Sequence, residues 1–271
     1  MRTDHNENPF NDLLLSPNGK PEFVTGDVMM FAPKYNVKRA DADEFQREAK
    51  RFREFHGLSE EHTPIHLIDN SRHRYLRAEQ VLEHIEVRLN KIDVYELPPQ
   101  VYNFFGHGFK FGLSSFGFRS PNHPYATDRD RTHFNMLMEY MAHHCGVMML
   151  LYACSTGDDP DDDPDTAPGS GDDSFADWCR DELCALRAWF CRVMAHTTAG
   201  HTTVNPMVKF FDGTGGPGPG VGAPMVFDPG SVEFRKWNKM LKGEIASNEM
   251  RFRFPFMMWD AIKADVQSRI V

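Results

Sequence analysis

Between Gly146 and Gly157 the chain reads Val-Met-Met-Leu-Leu-Tyr-Ala-Cys-Ser-Thr, without a charge. A short apolar run with no polar alternation predicts a strand buried on both faces, as in a parallel sheet covered by helices. The run ends at Cys154, and the turn-prone residues Ser155, Thr156 and Gly157 follow. A second run, Val101-Tyr-Asn-Phe-Phe105, closes on Gly106-His107-Gly108. Further strands are predicted at 22–31, ending at Pro33, and at 63–68, 194–200 and 207–211. Helical spacing of Phe45, Ala49, Phe52 and Phe55 predicts a helix over 40–56, with Gly57 as its C-cap. Helices are also predicted over 75–92, 132–144, 175–193, 231–241 and 259–270. In the 175–193 helix, Trp178, Leu183, Leu186, Phe190 and Val193 fall on one side. Segments 106–131 and 212–224 are rich in Gly and Pro, and 158–174 is acidic and aperiodic; the first is expected to be a loop or hairpin over the strand ends and the other two loops.

Strands and helices alternate from about residue 63 to residue 211. That order predicts an α/β three-layer sandwich with a mostly parallel central sheet and right-handed crossovers. The expected organisation is an arm with accessory strands and a helix at 1–62, an α/β core at 63–211, and an extension packed on the core at 212–271. The 271 residues and the 41% hydrophobic fraction suffice for such a core.

Charge and cysteine usage narrow the function classes. A net charge of −9 argues against a nucleic-acid surface, which requires clustered Lys and Arg. No apolar run approaches the roughly 20 residues of a membrane span. The N-terminal residues contain no apolar signal region, and the five cysteines include no CxxC pair. A cytoplasmic compartment with reduced thiols and no structural zinc is therefore expected. No cofactor is called for.

In open α/β sheets, chemistry gathers at the carboxyl ends of the strands. His107 and Cys154 both stand at predicted carboxyl ends. A nucleophilic thiol must become a thiolate and needs a partner to manage the proton, and a histidine on a neighbouring strand end does both. The oxyanion that develops needs backbone N–H donors. Gly108, whose N–H has no side chain beside it, and Cys154 itself are the candidates.

An apolar strand ending in His-Gly, a helix, and an apolar strand ending in Ala-Cys-x-x-Gly resemble the caspase-like cysteine peptidases. That superfamily includes caspases, metacaspases, gingipains, separases and CHAT-domain peptidases. Leu151-Tyr-Ala-Cys-Ser-Thr-Gly157 is closest in style to the CHAT-domain group. The interval from His107 to Cys154 is 154 − 107 = 47 residues, against roughly 50 in caspases. The resemblance covers about residues 63–211. It implies a cysteine endopeptidase with His107 as general base, Cys154 as nucleophile and Gly108 as oxyanion donor, acting on a protein or peptide substrate. Tyr152 stands where caspases carry Gln, which implies a different pocket wall. Arg119 and the segment holding His196, Thr197 and His201 are the candidates for substrate binding.

Plainer readings stay beside these. Cys154 alone is also compatible with an inert core thiol. Cys179, Cys184 and Cys191 are expected to pack on the 175–193 helix. His196 and His201 lack a nearby carboxylate or cysteine at ligand spacing, so no metal is assigned to them. The alternative function is an inactive caspase-like fold serving as a protein-binding or assembly module. Its partner surface would be the aromatics Phe104, Phe105, Phe109, Phe111, Phe116 and Phe118 together with the C-terminal region.

Overall fold

The computed structural model describes residues 14–15, 21–22, 28–36, 43–90, 99–143, 146–158, 173–186, 190–196, 208–214, 225–227 and 252. In chain order the elements are β1 (Leu14–Leu15), β2 (Pro21–Glu22), β3 (Val28–Lys34), α1 (Glu44–Phe55), β4 (Ile65–Asp69) and α2 (Arg74–Leu89). Then come β5 (Val101–Gly106), β6 (Gly112–Leu113), β7 (Phe118–Arg119), α3 (Asp128–Met141) and β8 (Gly146–Ala153). The last are α4 (Phe175–Leu186), β9 (Phe190–His196), β10 (Val208–Thr214) and β11 (Met225–Phe227). The expected helices at 231–241 and 259–270 lie outside the described residues, as do the acidic segment from 159 to 172 and Cys145.

The central sheet has the order β11-β10-β9-β8-β5-β3-β4. Its five strands β9, β8, β5, β3 and β4 are parallel, and β10 and β11 continue it antiparallel. β1–β2 and β6–β7 are separate two-stranded ribbons. The sheet draws β3 from upstream of residue 63.

Alternation along β8 explains why its sequence is apolar throughout. Val147, Met149, Leu151 and Ala153 join one buried cluster with Val81 and Ile85 of α2, Phe134 and Leu137 of α3, and Cys179 and Leu183 of α4. Met148, Leu150 and Tyr152 are equally buried and belong to the other face. There Tyr152 stacks on Phe105 with ring centroids 4.6 Å apart and approaches Phe52 of α1 at 5.9 Å. Both faces are buried, and each buried side chain of this size contributes about 1.5–3 kcal/mol. The result is a mixed α/β fold with helices on both faces of the sheet.

The placement of the helices follows from strand order. β3 to β4 steps one way across the sheet, while β4 to β5, β5 to β8 and β8 to β9 step the other way. Right-handed crossovers then put α1 on one face and α2, α3 and α4 on the opposite face. The direction reverses between β3 and β5. In a doubly wound sheet, that reversal opens a crevice beyond the carboxyl ends of the two strands.

Several boundaries differ from the sequence pattern. Of the helix expected over 175–193, Phe175–Leu186 is helical as α4, whereas Phe190, Cys191 and Val193 belong to β9. Leu183, Leu186, Phe190 and Val193 fit a helical stripe, yet the segment from Phe190 is needed between β8 and β10. There Val193 and Ala195 pack toward α4, so pairing on both sides overrides the local period. β3 runs through Pro33 to Lys34 because its β5 ladder ends at Phe31 while its β4 ladder continues to Lys34. A proline is tolerated where a strand has lost one neighbour. α3 starts at Asp128, four residues before the expected Thr132, because Thr127 and Asp130 form a capping box. The expected aromatic partner surface is not one: Phe104, Phe105, Phe116 and Phe118 are buried. Among the described residues no helix is long and apolar enough to cross a membrane.

Candidate active site

β5 and β8 are adjacent and parallel, and their last ladder pair is Gly106 with Ala153. His107 and Cys154 are each the next residue. Neighbouring strands lie about 4.8 Å apart, so the two backbones leave the sheet side by side. Alternation carried one step beyond Gly106 and Ala153 assigns both positions to the α1 face. For His107 a ring contact agrees, because its imidazole meets the edge of Phe45 of α1 at 4.7 Å and 82°. Tyr35, just past the carboxyl end of β3, approaches the same ring at 6.4 Å. His107 therefore stands at the reversal point of the sheet.

The loop after β5 is tied down at His107. Its N–H donates to Ser115 Oγ at 2.8 Å, and its carbonyl accepts from the Ser115 N–H at 3.1 Å and from Ser114 Oγ at 3.0 Å. These three bonds fix the backbone while the residue itself stays exposed. Asn70 Nδ2 donates to the Ser115 carbonyl at 2.9 Å and joins the loop to the end of β4.

The turn after β8 is equally constrained. Ser155 has φ 55°, in the left-handed region that non-glycine residues seldom occupy. Such a residue costs of order 1 kcal/mol and persists where its surroundings fix it. Here Thr156 Oγ1 donates to the Ala153 carbonyl at 3.1 Å, and the Thr156 carbonyl accepts from the Ala176 N–H at 3.0 Å. The Phe175 N–H donates to the Lys110 carbonyl at 2.8 Å. The first turn of α4 thus bonds to the segment after Cys154 and to the segment after His107.

Gly108 brings the two segments into contact. A Cβ at this position would lie 2.6 Å from Thr156 Cγ2, 2.8 Å from the Cys154 carbonyl oxygen and 2.9 Å from Ala153 Cβ. Only glycine lets the chain after His107 rest on the Cys154 turn.

Cys154 is half-buried, whereas Cys179 and Cys184 are buried in the packing of α4. Burial pushes the Cys179 thiol well up, and the carboxylates of Asp177 and Glu182 add to this. Tyr152 is 1% exposed and packs against the α1 layer, so it forms no open pocket wall. Arg119, on β7, lines a small cavity with Arg74 and Arg77 behind the His107 loop. His196 ends β9, which runs parallel to β8, so it reaches the same sheet edge as Cys154. Thr197 and His201 lie outside the described residues. Among the described residues no cluster of three His, Cys, Asp or Glu is placed to hold a metal.

Sequence reasoning placed Phe45 only on the face of a helix, and it did not single out Tyr35, Ser114 and Ser115, which with Phe45 position His107, or Arg74 and Arg77. The serines sit in a Gly/Ser-rich segment that carried no periodic signal. The arginines look like the solvated side of an amphipathic helix. Comparison with family models, with characterised proteins and with solved structures finds no match.

Proposed function

We propose that the chain is a caspase-like cysteine endopeptidase working through His107 and Cys154. The observation that carries this reading is the in-register ending of β5 and β8, one residue before the imidazole and the thiol. In the proposed reaction His107 accepts the Cys154 proton and the thiolate attacks the scissile carbonyl. The N–H groups of Gly108 and Cys154 stabilise the oxyanion, since Gly108 lies directly on the Cys154 backbone. His107 returns its proton to the leaving amine, giving a thioester. Water then attacks that thioester, with His107 as base. The exposure of His107 suits an extended polypeptide rather than an enclosed small molecule. No nucleic acid or cofactor enters the scheme.

The test uses a proteome-derived peptide library, read by mass spectrometry for new N-termini. Wild-type protein should create them, and Cys154→Ala and His107→Ala should not. A peptidyl acyloxymethyl ketone should form an adduct on Cys154. Cleavage that persists in Cys154→Ala, or the absence of both cleavage and adduct in the wild type, would overturn the reading.

A further inference from the structure

We infer that the cavity between Arg74, Arg77 and Arg119 binds a small oxyanion, a phosphate group, and that its occupant clamps the loop bearing His107. The cavity has a volume of about 90 Å³. That is far below the roughly 300–1,000 Å³ of pockets for drug-sized ligands, so a tetrahedral anion suits it and a nucleotide does not. Arg74 and Arg77 come from the start of α2, while Phe109, Ser114, Gly117 and Arg119 come from the loop and ribbon after His107.

Charge at the cavity is unbalanced. Arg74 is neutralised by Asp130 in a two-pronged pair. Among the described residues Arg77 donates only to uncharged carbonyls, those of Arg72 at 2.8 Å and Ser114 at 2.9 Å. Its Nε is buried with no acceptor among the described residues, although a buried donor without a partner is costly. Burial pushes the Arg77 pKa down, and the Arg74 charge adds to this against an opposing effect of Tyr35. Among the described residues no carboxylate pairs with Arg77 or Arg119. Two uncompensated guanidinium groups therefore converge in a chain of net charge −9. Guanidinium forks match phosphate oxygens in geometry as well as in charge.

The coupling to His107 is short. Arg77 Nη2 holds the Ser114 carbonyl, and Ser114 Oγ holds the His107 carbonyl. Gly117, at φ 82°, lies so close to the Arg74 carbonyl that no side chain fits. An anion bridging α2 to Arg119 closes the remaining side of this loop. The clamp bears on catalysis only if the proposed dyad is correct, whereas the anion site does not depend on it.

The test is titration calorimetry of the full chain with inorganic phosphate at constant ionic strength, followed by hydrogen exchange at saturation. Wild-type protein should bind one phosphate. Arg119→Gln and Arg77→Gln should weaken binding at least tenfold, with folding checked by circular dichroism, and the exposed Arg131→Gln should leave it unchanged. Amides in 109–119 should exchange more slowly with phosphate bound. O-phosphoserine binding as tightly as phosphate would assign the site to a phosphorylated side chain; its exclusion would assign it to the free ion. Absent binding, binding unchanged in Arg119→Gln, or acetate binding as tightly as phosphate would overturn the site. Unchanged exchange in 109–119 would overturn the clamp. None of these readouts requires peptidase activity, so their failure is distinct from failure of the dyad.

Discussion

Replacing Gly108 with alanine perturbs the junction between the two strand ends and little else. The new methyl would sit 2.6 Å from Thr156 Cγ2, 2.8 Å from the Cys154 carbonyl oxygen and 2.9 Å from Ala153 Cβ. Favourable carbon contacts lie near 3.5–4.0 Å, so the segments must part by roughly 1 Å. None of the three neighbours yields easily. Ala153 and Thr156 are fully buried, the Cys154 atom is backbone, and Thr156 is bonded to Ala153 and Ala176. Overpacking of this kind costs about 1–3 kcal/mol. For chains of this size each kcal/mol lowers Tm by about 2–4 °C. Misplacing reacting groups by about 1 Å lowers a rate on the order of 10²-fold. Urea unfolding should therefore show a lower midpoint at constant slope, and Cys154-dependent cleavage should fall far more than stability does. Gly57→Ala is the control. Gly57 has φ 67° and open space around a Cβ, so it should lose about 1 kcal/mol to backbone strain and keep full activity. A Gly108→Ala protein with wild-type stability and wild-type cleavage would refute the packing argument.

Burial, and then the neighbouring His84, hold the His66 pKa down at about 4. The unfolded chain takes up that proton near pH 6.5, so between pH 6.5 and 4 the unfolded state binds more protons. Stability should fall by about 3 kcal/mol as pH drops through that window. In His66→Phe, which can pack on Phe31, the urea midpoint should depend far less on pH; an unchanged pH dependence would contradict this. Asp130 is buried, but hydrogen bonds from Arg74 and from the Thr127 N–H and hydroxyl outweigh the burial and hold its pKa at about 2. Asp130→Asn leaves Arg74 without its counter-charge and weakens the cap of α3. It should cost about 2–4 kcal/mol in urea unfolding at pH 7, and a loss under about 0.5 kcal/mol would contradict the pairing.

The buried strands were legible because the apolar runs at 101–105 and 147–152 admit no amphipathic helix, and because glycines and small residues punctuate their ends. Adjacency of β5 and β8 was expected only from the resemblance, since no local pattern encodes which strands pair, and the parallel ladder between them agrees with it. The β9 segment was misread because its apolar positions satisfy both a helical and a strand period, and only pairing on both sides decides between them. The start of α3 was encoded in Thr127 and Asp130 but was masked by the Gly- and Pro-rich segment before it. The aromatics after residue 103 look like surface when counted as a cluster. Phe104 and Phe105 are buried because β5 is covered on both faces, Phe105 against Phe52 and Tyr152, while Phe116 and Phe118 are buried where the short β6–β7 ribbon packs on α2 and α3. Arg74 and Arg77 could not be singled out, because the cavity they share with Arg119 exists only after α2 and the ribbon meet.

The central claim is that the His107 imidazole activates the Cys154 thiol. Iodoacetamide labelling at pH 7, followed residue by residue by mass spectrometry, tests it most directly. Cys154 should react well ahead of the buried Cys179 and Cys184, and His107→Ala should slow it by about tenfold or more. A Cys154 rate that is unchanged in His107→Ala would contradict the account.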